Sequence, residues 1–459
     1  GMPPLEAPED YRRGEMQGLR SKLFETYFGF DTRSLAAFRI ALGLTCWAEL
    51  CLRFRVIRFR VSEAALPTVP GSAFSWVYRA LLQHASLIVI VLCAIAFTAL
   101  SLGYRTKWAQ ALTLLGVTSS AALDALGGKA DMVFGSLCVW SLFMPLGERF
   151  SVDSVIASLR RREQQSPKEL NDRRPIRTPA RRFYSLASFA TLAQVIAIYL
   201  MSLPAWLRGD AELSRAAWVV AALGTVAILS PFARRYTRGF AAVVMPLLHI
   251  ALAVFVDLGI ATISLLAFYW LLLEDAHWRR IAQSVAGWHK RRVVFVDEDC
   301  GFCMWCGRIL ARLDVLERLE FASNADQDRL PRSISIAQAN ESITTLEPTT
   351  GRVQRGAAAF AALLRSLPFG FLVAIPWELP GLRQIAEPAY MQVANNRLQV
   401  SLWMGYGACG LPIPEGTMPD VSDETSPAEL FKQRALAIAR EVSVLLLMIA
   451  MIAAWSFRR

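Results

Sequence analysis

Three cysteines stand three residues apart in the stretch VVFVDEDCGFCMWCGRIL: Cys300, Cys303 and Cys306. They follow an apolar run and three consecutive carboxylates, Asp297, Glu298 and Asp299. A C-x-x-C pair opening a helix puts two sulfurs on one side, one turn apart, so that one thiolate attacks a disulfide and the other resolves the mixed species. A C-x-x-C-x-x-C run also occurs at iron–sulfur centres, which would make Cys300, Cys303 and Cys306 metal ligands. On a continuous helix, positions i, i+3 and i+6 drift around the axis, and a fourth ligand would have to come from afar, from Cys409 or His289. Structural or inert thiols are the third reading.

The elements around the cysteines favour the redox pair. RVVFVD has the make-up of a buried strand, and GFCMWCGRILARLDVLERL that of a helix with Ile309, Leu310, Leu313, Leu316 and Leu319 on one stripe. Cys300 then falls in the first helical turn, where the helix dipole stabilises a thiolate. Asp299 is placed to cap that helix by accepting the N–H of Gly301 or Phe302. The predicted catalytic set is Cys300 as nucleophile, Cys303 as resolving cysteine and Asp297 as proton acceptor. The local charges oppose the dipole: three carboxylates raise the Cys300 pKa, and the nearest cations in sequence, Arg291 and Arg292, lie at the far end of the strand.

LEFASNAD reads as a second strand, ESITTLEPTTGRVQRG as a hairpin about Thr349, Thr350 and Gly351, and AAAFAALLRSLP as a helix. Strand, helix, strand, hairpin, helix is the order of a thioredoxin-like α/β soluble domain, expected over 293–410. Residues 411–435 form a proline- and acid-rich linker, and 436–457 a C-terminal transmembrane helix.

What precedes this domain is of a different kind. Hydrophobic residues make up 54% of the 459 and charged residues 19%, with mean hydropathy +0.36. A soluble chain carries about 25% charged residues. Apolar stretches at 35–52, 85–102, 108–126, 131–147, 183–206, 215–232, 240–256 and 258–273 predict a polytopic α-helical membrane bundle of about eight spans over 31–285. Residues 1–30 form an amphipathic N-terminal segment; GMPPLEAPED lacks the apolar run of a secretory leader. The net charge of +11 is explained by arginines and lysines in loops, and no basic folded surface of the nucleic-acid-binding kind is visible. Their placement puts the N-terminus and the redox domain in the cytoplasm, and the C-terminus outside, of a bacterial-type plasma membrane; RFRVIRFR at 53–60 dissents.

Two resemblances add to this reading. Residues 293–400 resemble the DCC family of thiol-disulfide oxidoreductase-like proteins in Asp297, Cys300 and Cys303, in LEFAS (319–323), in GRVQRGAAAF (351–360) and in LPGLRQIAEPAYMQVANNR (379–397). Glu298 departs from the glycine usual after the motif's aspartate, and no proline stands where thioredoxins carry their cis-proline. The resemblance implies thiol–disulfide exchange with a protein or small-molecule partner. The first half resembles the HTTM domain shared with vitamin K-dependent γ-carboxylases, in DTRSLAAFRIALGL (31–44), LGYRTKWA (102–109) and GGKADMVFGSLCVWSLFMPLGERFSVDSV (127–155). It implies a bundle holding a quinone or other lipid, without the carboxylase activity.

Ionisable residues inside a bundle are functional candidates by default. Arg39, Glu49, Asp124, Asp131, His249 and Asp257 are such residues here. Arg39, Asp124, Lys129, Asp131 and His84 are the predicted lipid or quinone set; the competing reading is an Arg39–acid pair that only locks helices together. The preferred function is a membrane-anchored thiol-disulfide oxidoreductase-like protein. The alternative is a non-catalytic maturation or scaffolding factor whose cysteines are structural or bind metal.

Overall fold

The computed structural model describes residues 23–60, 73–123, 129–160, 166–173, 181–207, 212–255, 260–287 and 289–403. It is mostly helical, with a small mixed sheet in the C-terminal region. The chain divides into two compact units, one comprising 1–146, 182–274 and 423–459, the other 147–181 and 275–422.

Each of the eight apolar stretches expected before residue 285 overlaps a helix of the described residues. These helices are Thr32–Arg60, Ala73–Leu102, Thr106–Leu123, Lys129–Ser141, Leu186–Leu207, Glu212–Leu229, Arg234–Phe255 and Ile260–Tyr269. A short antiparallel pair, β1 (Gly29–Asp31) with β2 (Arg182–Tyr184), leads into the first. There Asp31 Oδ1 accepts the Arg33 N–H at 2.8 Å, satisfying one of the donors a helix start leaves open. The core joins Phe38, Leu42, Leu100, Phe134, Leu137 and Phe268. Among the described residues, one stretch, Thr32–Leu52 with 21 residues and mean hydropathy 1.6, is long and apolar enough to cross a bilayer. Eight such spans are therefore not found. Length is part of the reason: Lys129–Ser141 has 13 residues and Ile260–Tyr269 has 10, where a span needs about 20.

The second unit holds the sheet. Strand β3 (Arg292–Val296) pairs in parallel with β4 (Leu319–Ser323), Val294 opposite Phe321, and antiparallel with β5 (Thr344–Glu347). Strand β6 (Arg352–Arg355) closes the order β4-β3-β5-β6. The hairpin turns at Gly351, whose φ of +68° suits a residue without Cβ. Alternation along β3 explains why its sequence is apolar throughout. Val294 and Val296 face a core with Met304, Leu310, Phe321 and Leu363, while Val293 and Phe295 face a second with Ala322, Leu330 and Ala339. Each such side chain contributes about 1.5–3 kcal/mol by leaving water.

The segment 147–181, which sequence alone leaves within the apolar half, joins this second unit. Its short helix Pro167–Asn171 puts Leu170 into the first of those cores. Asn171 brackets β4 like a missing strand: Nδ2 donates to the Phe321 carbonyl at 2.8 Å, and Oδ1 accepts the Phe321 N–H at 2.7 Å. Gly307 permits the approach, since a Cβ there would stand 2.9 Å from Leu170 Cδ1.

Candidate active site at the β3–helix turn

Strand β3 delivers Asp297 and the turn that follows into the helix Gly301–Leu313. Cys300 itself is the N-cap: its φ/ψ of −104°/105° is extended, and its carbonyl accepts the Met304 N–H at 3.0 Å. Asp299 does not cap this helix. The turn is instead closed by Asp297, whose Oδ1 accepts the Asp299 N–H at 3.1 Å and whose carbonyl accepts the Cys300 N–H at 3.3 Å. The helix stops at Leu313, so Leu319 of the expected stripe lies on β4. Asp314 makes that stop. Fully buried, it accepts the Arg318 and Leu319 N–H groups, each at 2.8 Å, and pairs with Arg173 at 3.1 Å.

The structure brings the predicted catalytic set together. One Asp297 carboxylate oxygen and the Sγ atoms of Cys300 and Cys303 all lie within 4.8 Å of one another, and the two thiols share a hydrogen bond. Cys306, the third cysteine of the metal reading, does not join that group. Cys300 is buried at 1% exposure, whereas Cys303 is partly exposed. The Cys303 hydrogen bond, aided by its backbone N–H and by Arg397, lowers the Cys300 pKa to about 7 against burial and the Asp297 charge. Cys303, as the donor to that thiolate and partly desolvated, is raised far above the ordinary thiol range. Burial, with the Cys300 charge behind it, pushes Cys306 up to about 12, which leaves it an inert thiol at neutral pH.

Two residues of the site lie outside any spacing that links them to the cysteines. Arg397, which opens the helix Arg397–Trp403, places Nη2 3.1 Å from Asp297 Oδ2. Tyr390 accepts the N–H of Ile343, just ahead of β5, at 2.9 Å. Burial pushes the Tyr390 phenol up to about 12, with the Cys303 and Cys306 charges adding to the rise. Glu387, on the same helix Pro380–Asn395, accepts the Ala357 N–H at 3.1 Å. The 379–397 stretch thus has structural work to do: three of its side chains fasten it to the residue ahead of β5, to the helix that follows β6 and to the cysteine turn. Their only sequence signal is membership of that stretch.

Residues 294–403 match the DCC1-like thiol-disulfide oxidoreductases. The matched span runs from within β3 through the helix that carries Arg397, so it contains every residue of the site described above. No curated protein and no solved structure matches the chain. The resemblance of residues 31–285 to the HTTM domain finds no support in these comparisons, because the DCC1-like match begins after them.

The predicted lipid set fares differently. Arg39 is buried and donates from Nη1 to the Leu146 carbonyl at 2.9 Å. Glu49 is buried as well. His84, Lys129 and Asp131 lie on helices at positions whose side chains are outside the description, and Asp124, Asp257 and Cys409 lie outside the described residues. His249 joins a chain of hydroxyls that sequence gave no reason to expect. Its Nε2 lies 2.5 Å from the Tyr199 hydroxyl, which in turn meets the Tyr269 hydroxyl, and all three residues are buried.

Proposed function

We propose that the C-terminal domain carries out dithiol–disulfide exchange, with Cys300 and Cys303 as the reacting pair. The observation that carries this reading is the hydrogen-bonded thiol pair one helical turn apart, inside the span that matches the DCC1-like family. The Cys300 thiolate attacks one sulfur of a partner disulfide. A mixed disulfide forms, and the partner's other sulfur leaves as a thiolate. Cys303 gives its proton to the Asp297 carboxylate and attacks Cys300 Sγ, which expels the partner's second sulfur. The dithiol loses two electrons, the partner gains them, and the two thiol protons end on the partner's sulfurs by way of Asp297 and solvent. Cys300 is nearly inaccessible in the closed site, so the turn has to open for the partner.

The trapping experiment tests this. Cys303→Ser should accumulate a mixed disulfide on Cys300, and Cys300→Ser should form none. If neither substitution alters dithiol–disulfide cycling, the exchange reading is wrong. The alternative, a non-catalytic scaffold with metal-binding cysteines, draws on the 4.8 Å span of the three ligand atoms, which suits a tetrahedral ion. Arg397 counts against it, since a cation entering there would meet a guanidinium already on Asp297. Zinc or iron near one per purified chain would favour the scaffold.

Membrane anchoring of the first unit is part of the same proposal. Its support is rows of large apolar side chains facing outward at helical spacing: Leu87, Val91 and Ile95 on one helix, and Phe240, Val243 and Leu247 on another. A quinone or other lipid held in this bundle would find hydrogen-bonding groups at Tyr199, His249 and Tyr269. Retention in the pellet after alkaline carbonate washing checks the anchoring, and release into the supernatant counts against it.

A further inference from the structure

We infer that Arg397 is a positioning residue of the exchange site, whose guanidinium cancels the Asp297 charge so that Cys300 can ionise beside a carboxylate. The inference rests on the exchange reading and adds a residue about a hundred positions downstream of Asp297 in the chain.

The site has a charge problem. The turn carries Asp297, Glu298 and Asp299 in succession, and a carboxylate oxygen of Asp297 sits within 4.8 Å of both sulfurs. An anion so close to a thiol favours the protonated form. The helix N-terminus acts the other way, but it is one partial charge against a full one. The Cys303 hydrogen bond does most to offset that anion, and what remains calls for a positive charge, which Arg291 and Arg292, engaged by Glu320 and Glu347, do not provide. Arg397 supplies it. Its Nη2 lies 3.1 Å from Asp297 Oδ2, with both side chains largely withdrawn from solvent at 23% and 14% exposure, so screening is weak. The other Asp297 oxygen is held by the Asp299 N–H, which fixes the carboxylate between the backbone and the guanidinium.

Among the described residues, three side chains from three elements act on the Cys300 charge, while Cys306, one turn beyond Cys303, stays protonated. Cys303 on its own helix donates to it, Asp297 on the preceding turn repels its charge, and Arg397 on the last described helix attracts it. Arg397 gives up no proton and forms no bond to a reacting sulfur. It acts through Asp297 and through the field at Cys300.

The test is the pH dependence of Cys300 alkylation by iodoacetamide in the reduced full-length chain, read by mass spectrometry at that residue. In the unsubstituted chain the midpoint should fall near 7. Arg397→Gln should raise the midpoint and slow alkylation at pH 6.5 about tenfold, the equivalent of one pKa unit. Arg397→Lys, which keeps the charge, should stay within about threefold. The deciding variant is Asp297→Asn combined with Arg397→Gln, which should return toward the unsubstituted profile because the charge to be cancelled is gone. An Arg397→Gln profile that matches the unsubstituted one overturns the inference. So does a double variant no better than Arg397→Gln alone, which would mean that Arg397 only holds the helices together. A chain in which Cys300 and Cys303 never cycle would instead defeat the exchange reading, and the alkylation profiles would still report on Arg397.

Discussion

At the scale of single residues, ionisation and access are divided between the two cysteines. Cys300 carries the lowered pKa but is buried, while the more exposed Cys303 is held protonated. Small and bulky thiol reagents of the same chemistry should therefore separate: N-ethylmaleimide should reach Cys300 many times faster than a polymer-linked maleimide, whereas a freely exposed cysteine would show no such gap. The folded pKa of Cys300 is depressed, so its thiolate stabilises the reduced state above the ordinary thiol pKa of about 9, and that stabilisation is lost as pH falls through about 7. The disulfide should accordingly be easier to reduce than that of an unperturbed pair, and redox titration across pH 6 to 9 measures this. Away from the site, Asp314→Ala would strip a fully buried Arg173 of its carboxylate. Breaking such a pair from one side costs about 3–5 kcal/mol, and chemical denaturation of the second unit would register it.

At the scale of elements, the order of strands and helices after residue 292 was legible, apart from the short helix Ile336–Glu341 ahead of β5, where an element carries its own signal. β3 is apolar on both faces, the cysteine helix has a periodic stripe, and the hairpin has Gly351 at its turn. The contribution of 147–181 was not legible. Read as a loop, it is a polar, basic stretch, and nothing in its spacing says that Leu170, Asn171 and Arg173 complete a domain beginning more than a hundred residues later. Leu170→Ala should cost the second unit about 2–5 kcal/mol, the usual range for emptying a buried leucine site. Hydrogen exchange should then show β4 losing protection first, because Asn171 and Arg173 both bond to its backbone. The 293–403 segment expressed without 147–181 should melt well below the same segment joined to it.

At the scale of the whole molecule, the composition that pointed to a membrane protein has a structural counterpart in the first unit. Large apolar side chains there occupy outward faces as well as the core. Photolabelling in proteoliposomes that carry a diazirine on the lipid acyl chain should mark Leu87–Ile95 and Phe240–Leu247 and spare the sheet of the second unit. Labelling spread evenly over both units would remove the case for embedding. Helix count and span count have to be kept apart here. Eight helices form where eight apolar runs predict them, yet one described stretch has the length and apolarity to cross a bilayer. Hydropathy locates helices because burial and lipid exposure select the same side chains, and for that reason it does not say which of the two each helix meets.

The sequence by itself determined the redox chemistry on offer. The cysteine pair, its place between strand and helix, and Asp297 beside it are local facts, fixed by residues a few positions apart whose geometry follows from helical and extended backbone. Only the tertiary structure decided how that chemistry is tuned. Cys300 ionisation is favoured by the Cys303 hydrogen bond and, from a hundred residues away, by Arg397, whether it can be reached depends on what covers the turn, and the second unit includes a segment drawn from within the apolar half. These are interactions through space between groups that the chain keeps far apart. Electrostatic and packing forces act on distance alone, and a linear order of residues does not encode which distant groups will be brought near.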